Sequence, residues 1–217
     1  MPNLVLVIGN KAYSSWSLRP WLLMKQAGIA FEELRLSLYA EGAKQKVLQY
    51  SGAGKVPVLK DGDLTIWDSL AICEYLAEKY PEKRLWPIET AARAQARSVS
   101  AEMHSGFTQL RTQMPMNVRR EIPGRAGTPE VVAEIARIEA IWKDCRSRYG
   151  AQGRFLFGAF SIADAMYAPV VSRLRTYGVT VADKAAEYAA SIHALPAMQE
   201  WIAGAHAESE VNPLYEP

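Results

Sequence analysis

The chain has 217 residues, 49% hydrophobic and 22% charged, which excludes a disordered or fibrous protein and leaves ample material for a sizeable core. With 25 Lys+Arg against 23 Asp+Glu, a formal net charge of +2, there is no electrostatic case for a nucleic-acid partner or an acidic membrane surface. Two cysteines, Cys73 and Cys145, exclude a disulfide framework or a cysteine-rich metal site, and the longest apolar run, residues 4–9, is too short for a bilayer span or a signal-peptide core. A soluble cytoplasmic protein without a metal is expected.

Residues 4–8 form a continuous apolar run of strand length ended by Gly9, the pattern of a strand buried on both faces. A helix follows over residues 18–28, with Ser17 as its N-cap, Pro20 in its first turn and Gly28 at its C-terminus. Residues 31–38 read as a second strand with Leu34, Leu36 and Leu38 alternating. Residues 56–60 and 64–67 read as two short strands around Asp61-Gly62, a pair that favours the positive φ angles of a tight hairpin. Asp68 and Ser69 then cap a helix over 70–80. The order is β-α-β, a connecting segment, then β-β-α, which is the arrangement of a thioredoxin-like domain.

After Tyr80 the strands stop. Residues 81–90 are proline-flanked and charged, as suits a linker between a domain over 1–80 and another over 91–217. One long helix is expected from Ala91 to about Gln113. Apolar residues at 131, 135, 138, 142, 145 and 149 recur at helical spacing, as do 163, 166, 170, 174 and 177, and two shorter helices end near His193 and Ala205. The second half therefore reads as an all-α helical bundle.

Three places carry chemistry. Where the first strand meets the first helix, free N–H groups and the helix dipole stabilise a thiolate, and redox members of this fold place cysteines there. This chain has Ser14-Ser15-Trp16-Ser17, which cannot perform dithiol exchange; its hydroxyls serve either as caps or as donors to a ligand's thiolate. At Lys55-Val56-Pro57, a cis X-Pro bond would turn the Val56 backbone outward to pair with an extended peptide, the alternative being a plain edge-strand proline. At Asp68-Ser69, the helix start can hold a carboxylate and an amino group, although capping alone also explains the pair.

Together these segments resemble the soluble, cytosolic-type bacterial glutathione S-transferases. The matches are SSWSLRPWLL at 14–23, GKVPVLKDGDLTIWDSLAICEYL at 54–76 and FSIADAMYAPVVSRL at 160–174, where Ser161 and Asp164 look like the family's N-capping box. The resemblance spans nearly the whole chain and implies an enzyme that takes glutathione as co-substrate, without a metal, to attack small hydrophobic electrophiles in detoxification, as a homodimer. By motif matching, Val56 pairs with the cysteinyl part of glutathione beside a cis Pro57. Asp68 and Ser69 hold the γ-glutamyl end, and Lys55, with Lys44, meets the glycyl carboxylate. Ser14, then Ser15, is the thiolate-stabilising hydroxyl, with Tyr13 in reserve. The serine motif resembles that of the zeta class with Trp16 in place of a cysteine and Arg19 retained.

Trp16, His104 and Arg111 are assigned to the substrate pocket, although a structural or interface role also fits His104. Arg111, Arg119, Arg120 and Arg125 form a basic stretch that either faces solvent or favours an anionic co-substrate. His193 and His206 show no metal-ligand spacing with the cysteines. Two other activities fit the pattern: glutathione-dependent isomerisation of the zeta, maleylacetoacetate, type or dehalogenation, and non-catalytic ligand binding on the same fold.

Overall fold

The computed structural model describes residues 4–124 and 127–215; Arg125 lies outside the described residues. β1 (Leu4–Ile8) is parallel to β2 (Glu32–Arg35) and antiparallel to β3 (Val58–Asp61), which pairs antiparallel with β4 (Leu64–Trp67), giving the strand order β2-β1-β3-β4. Successive side chains of a strand point to opposite faces, and Leu6, Val7 and Ile8 are all fully buried, so β1 is covered on both sides. Gly62, at φ 58°, makes the hairpin between β3 and β4. With helices α1 (Ser15–Gln26) and α3 (Ser69–Lys79), the first half has the expected thioredoxin-like order.

Four local expectations are corrected. The N-cap of α1 is Ser14, whose Oγ accepts the Ser17 N–H at 3.4 Å, because the Ser17 hydroxyl is drawn back to the Gly9 N–H at 3.1 Å. β2 is shorter than residues 31–38: Leu36 still donates to the Ile8 carbonyl, but the Leu38 N–H turns to Asn10 Oδ1 at 2.9 Å. β3 starts at Val58, since Pro57 has no N–H to give the ladder. A short helix, α2 (Ala43–Leu48), occupies the connecting segment and buries Ala43 and Val47, one turn apart.

The second half contains α4 (Thr90–Ser105), α5 (Thr108–Gln113), α6 (Pro129–Tyr149), α7 (Ile162–Thr176), α8 (Asp183–His193) and α9 (Pro196–His206). The single helix expected over 91–113 is broken in two. A Cβ on Gly106 would sit 2.9 Å from the Glu102 carbonyl oxygen, and Phe107 takes a left-handed φ of 58°. Arg111 then reaches back from α5, its Nε donating to the Gly106 carbonyl at 3.0 Å and its Nη2 to that of Met103, so the open end of α4 is capped by a side chain. The Ser161–Asp164 capping box forms as expected, and the buried Asp164 carboxylate also accepts the Leu156 N–H at 3.0 Å. Around α7 the core is aromatic: Trp142 packs edge-on against Tyr167 and Tyr188, each such pair adding about 0.5–1.5 kcal/mol beyond its buried area.

The two halves are fastened at the loop between β1 and α1. Glu208 accepts the N–H groups of Lys11 and Ala12, at 2.6 and 3.0 Å, and Trp201 Nε1 donates to the Lys11 carbonyl at 2.9 Å. Val118 donates to the Ala12 carbonyl at 3.0 Å, while the Tyr13 hydroxyl is held by Arg119 and by the Asn212 N–H. From the other end, α1 packs on α7, with Arg19 Nε donating to the Met166 carbonyl at 3.2 Å. The start of α1 is thereby fixed against the helical half.

Candidate functional site

At its first turn α1 presents N–H groups with no intrahelical acceptor, and the aligned peptide dipoles make that end electropositive. Ser17 N–H is taken by Ser14, but Trp16 N–H, at the second helical position, has no acceptor among the described residues. Behind it Ser14 Oγ and Ser17 Oγ lie 2.7 Å apart, and Ser17 Oγ also accepts the Gly9 N–H. Ser15 points the other way, its Oγ accepting from Arg173 Nη2 at 3.3 Å.

In front of this turn is a cleft of about 510 Å³. Its wall contains Trp16 from α1, Lys55, Val56 and Pro57 from the segment before β3, and Asp68 and Ser69 from the start of α3, with Ala53 and Trp67 beside them. The Val56-Pro57 peptide bond is cis. Asp68, at φ 76°, caps α3 by accepting the Leu70 and Ala71 N–H groups on Oδ1, at 2.9 and 3.1 Å. Its Oδ2 lies 3.1 Å from His104 Nε2 on α4, so this carboxylate joins the two halves at the edge of the cleft. Ser69 is buried, its Oγ accepting from Arg19 Nη1 at 3.4 Å.

Trp16 is clasped by cations. The guanidinium carbons of Arg19 and Arg111 lie 4.3 and 4.7 Å from its ring centroid, and His104 meets it edge-on at 5.3 Å. Burial holds the Arg19 guanidinium well below its ordinary pKa, helped by the like charges of Arg111 and Arg173. Burial, with Arg111 adding to it, pushes Arg173 down to about 9. Burial also holds His104 below 6.5, against the pull of Asp68 and with Arg19 and Arg111 pushing the same way, so its imidazole is neutral at pH 7.

Of the residues singled out in sequence, Trp16, Lys55, Val56, Pro57, Asp68 and Ser69 line one cleft, and His104 and Arg111 contact its wall. Ser14 and Ser15 are buried behind Trp16 and do not line it, and Lys44 stands exposed on α2, off the lining. Tyr13 faces Arg119 and Asn212. Trp67 was missed in sequence, although a large aromatic immediately before the Asp-Ser helix start, 55% exposed at a strand end, is the signal that finds it. Arg173 was missed because its contact with Ser15 spans 158 residues. Cys73 and Cys145 are buried with their thiols held high, that of Cys145 at about 12, which leaves both protonated. Among the described residues no group of His, Cys, Asp and Glu can hold a metal ion, and no helix is long and apolar enough to cross a membrane.

Comparisons with known proteins match both halves. Residues 13–79 match the glutathione S-transferase N-terminal domain, and residues 91–204 match the glutathione S-transferase C-terminal domain. The chain is similar to a probable maleylacetoacetate isomerase of Caenorhabditis elegans, 28% identical over 157 residues, covering 70% of this chain and 72% of that protein. It is similar to glutathione S-transferase GstB of Escherichia coli K12, 32% identical over 137 residues, covering 58% of this chain and 62% of that one. Its fold is like that of a glutathione transferase homolog from Burkholderia solved with bound glutathione, at a TM-score of 0.69 and 24% identity over 94% of this chain and 98% of that one. A tau class enzyme from mango superposes at a TM-score of 0.72, with 19% identity over 94% and 96% of the two chains. Matched in sequence through both its α/β half and its helical half, the chain belongs to the glutathione S-transferase family.

Proposed function

We propose that this glutathione S-transferase ionises the thiol of glutathione, its co-substrate, in the cleft before α1 and directs the thiolate at small hydrophobic electrophiles. The observation that carries the reading is the convergence of the cis Val56-Pro57 bond and the Asp68-Ser69 helix start on one cleft with Trp16. Residues 1–80 form the glutathione-binding domain, 81–90 the linker, and 91–217 the domain that lines the electrophile site. The Val56 backbone pairs with the cysteinyl unit. Asp68 and Ser69 hold the γ-glutamyl end, and Lys55 at the rim, with Lys44 further out on α2, meets the glycyl carboxylate. Trp16, His104 and Arg111 face the electrophile. The enzyme works in the cytoplasm as a homodimer.

Ser14 is the activating hydroxyl. Hydroxyl protons rotate, so the 2.7 Å Ser14–Ser17 pair can run in either direction. With Ser17 accepting from Gly9 N–H and donating to Ser14, the Ser14 proton is free to turn toward the ligand, with Trp16 N–H as a second donor. The thiol, near pKa 8.5 in a free cysteine, then falls by about 2 units, worth roughly 2.7 kcal/mol. Glutathione titrated into the protein quenches tryptophan fluorescence, since Trp16 and Trp67 line the cleft, and thiol is consumed with a generic aryl halide. Absence of both signals at millimolar glutathione refutes the reading.

A second reading, glutathione-dependent isomerisation of maleylacetoacetate type, is favoured by the cations clasping Trp16, which suit a substrate bearing carboxylates, and by likeness to a protein named a probable maleylacetoacetate isomerase. Turnover of a cis-enone diacid without net loss of glutathione distinguishes it.

A further inference from the structure

Arg19, Arg111 and Arg173 converge on the back of the cleft from α1, α5 and α7. Arg19 and Arg173 are only 1% and 4% exposed. None of the three forms a salt bridge among the described residues. They are satisfied by neutral acceptors instead: Arg19 by the Met166 carbonyl and Ser69, Arg111 by the carbonyls of Gly106 and Met103, and Arg173 by the carbonyls of Met114 and Pro169 and by Ser15. Arg19 Nη2 is buried without a hydrogen-bond partner among the described residues. Two carboxylates act on the trio without pairing with it, Asp68 on Arg19 and Glu134 on Arg111, and among the described residues none acts on Arg173. Asp68 caps α3 and meets His104, and Glu134 accepts the Gln109 and Leu110 N–H groups at the start of α5. The other groups acting on them are the Cys73 thiol, which burial keeps protonated, and the phenols of Tyr167, Tyr177 and Tyr215.

A desolvated cation without a paired counter-ion is unfavourable, and two buried arginines with a third, partly buried one beside them raise the energy of the ligand-free protein. Asp68 and Glu134 offset part of this charge, and an anion entering the adjacent cleft offsets more of it. Resting on the proposed glutathione chemistry, we infer that this arginine trio is the enzyme's thiol-ionising device, with Arg173 a positioning residue that fixes the Ser15 hydroxyl and contributes charge from behind. The thiol proton leaves to bulk water, and the thiolate that remains adds counter-charge to the trio. At an effective dielectric near 20, one cation about 8–10 Å from a sulfur lowers its pKa by roughly 1 unit. Hydrogen bonding by Ser14 and the field of the trio act on the same sulfur and add.

The test replaces the guanidinium by an apolar chain of similar length. Arg173→Met is expected to bind glutathione, to raise the pKa of the bound thiol by about 1 unit in an ultraviolet pH titration of the thiolate, and to melt, without ligand, no lower than the wild type. Arg173→Lys restores the thiol pKa in part. Arg19→Met, read in the same way, serves if Arg173→Met does not fold. A bound thiol pKa unchanged in the methionine variant, with a lowered melting temperature, makes the residue merely structural and overturns the inference while leaving the proposed function standing. A wild type that fails to bind glutathione overturns both.

Discussion

Replacing Ser14 by Ala separates two roles that this hydroxyl can hold. As a cap, Ser14 Oγ accepts the Ser17 N–H at 3.4 Å, a long bond, and its loss costs about 1 kcal/mol of stability. As a donor to a thiolate it makes a bond to a charged group, worth about 1.5–3 kcal/mol, or roughly 1–2 units on the thiol pKa. The bound thiol should therefore titrate higher in Ser14→Ala by that amount, and the conjugation rate at neutral pH should fall roughly tenfold as the thiolate becomes a minor species. The assay is thiolate absorbance of the glutathione-saturated enzyme against pH, with urea denaturation of the same preparation. Ser17→Ala provides the control: its hydroxyl is buried off the cleft lining, yet it orders the Ser14 proton and satisfies Gly9 N–H, so a smaller rise in thiol pKa and a stability loss of about 1–3 kcal/mol are expected. A midpoint that stays put in Ser14→Ala, with only the cap's stability lost, refutes the hydroxyl mechanism and leaves Trp16 N–H and the arginine field as the source of activation.

Trp16→Ala removes a ring clasped by two guanidiniums and should cost about 1–3 kcal/mol of stability while raising KM for the electrophile more than for glutathione; equal increases would assign the ring to the glutathione site. His104 is held below 6.5 by burial, so its share of stability is complete above that pH and declines as pH falls from 6.5 to the lowered midpoint, levelling off below it. Imidazole NMR should show that midpoint, and Asp68→Asn should depress it further, since Asp68 is the group that raises it; a midpoint above 6.5 contradicts the burial argument. Glu208→Ala orphans the Lys11 and Ala12 N–H groups and should cost about 2–4 kcal/mol in urea denaturation, Glu208→Gln less because one acceptor remains, and equal losses would deny the hydrogen bonds their role.

The elements legible in sequence are those whose signals are local. Leu4–Ile8, the Asp61-Gly62 hairpin, the Asp68 cap and the Ser161–Asp164 box each follow from residues within a few positions of one another. Ser14 and Ser17 are equally competent caps three residues apart, and the choice between them falls to the Gly9 N–H, a contact across the turn. The break at Gly106 was hidden because a single glycine is tolerated in a helical pattern; it takes Phe107 in the left-handed region and the Arg111 side chain to end α4 there. The cleft wall could be read from its motifs. Its back could not, because Arg173 meets Ser15 only when α7 lies against α1.

The hydrogen bonds from Lys11 and Ala12 to Glu208 span 197 and 196 residues. During synthesis the sheet and the first helix can assemble early from their own hydrophobic surfaces, but the loop that presents Ser14 waits for Trp201, Glu208 and Asn212 to emerge from the ribosome. A chain made only as far as Tyr80 would thus carry every residue of the cleft wall and still leave the Ser14 turn unanchored. The start of the first helix is in this sense dependent on late synthesis: its turn is anchored only once the chain has been made as far as Asn212.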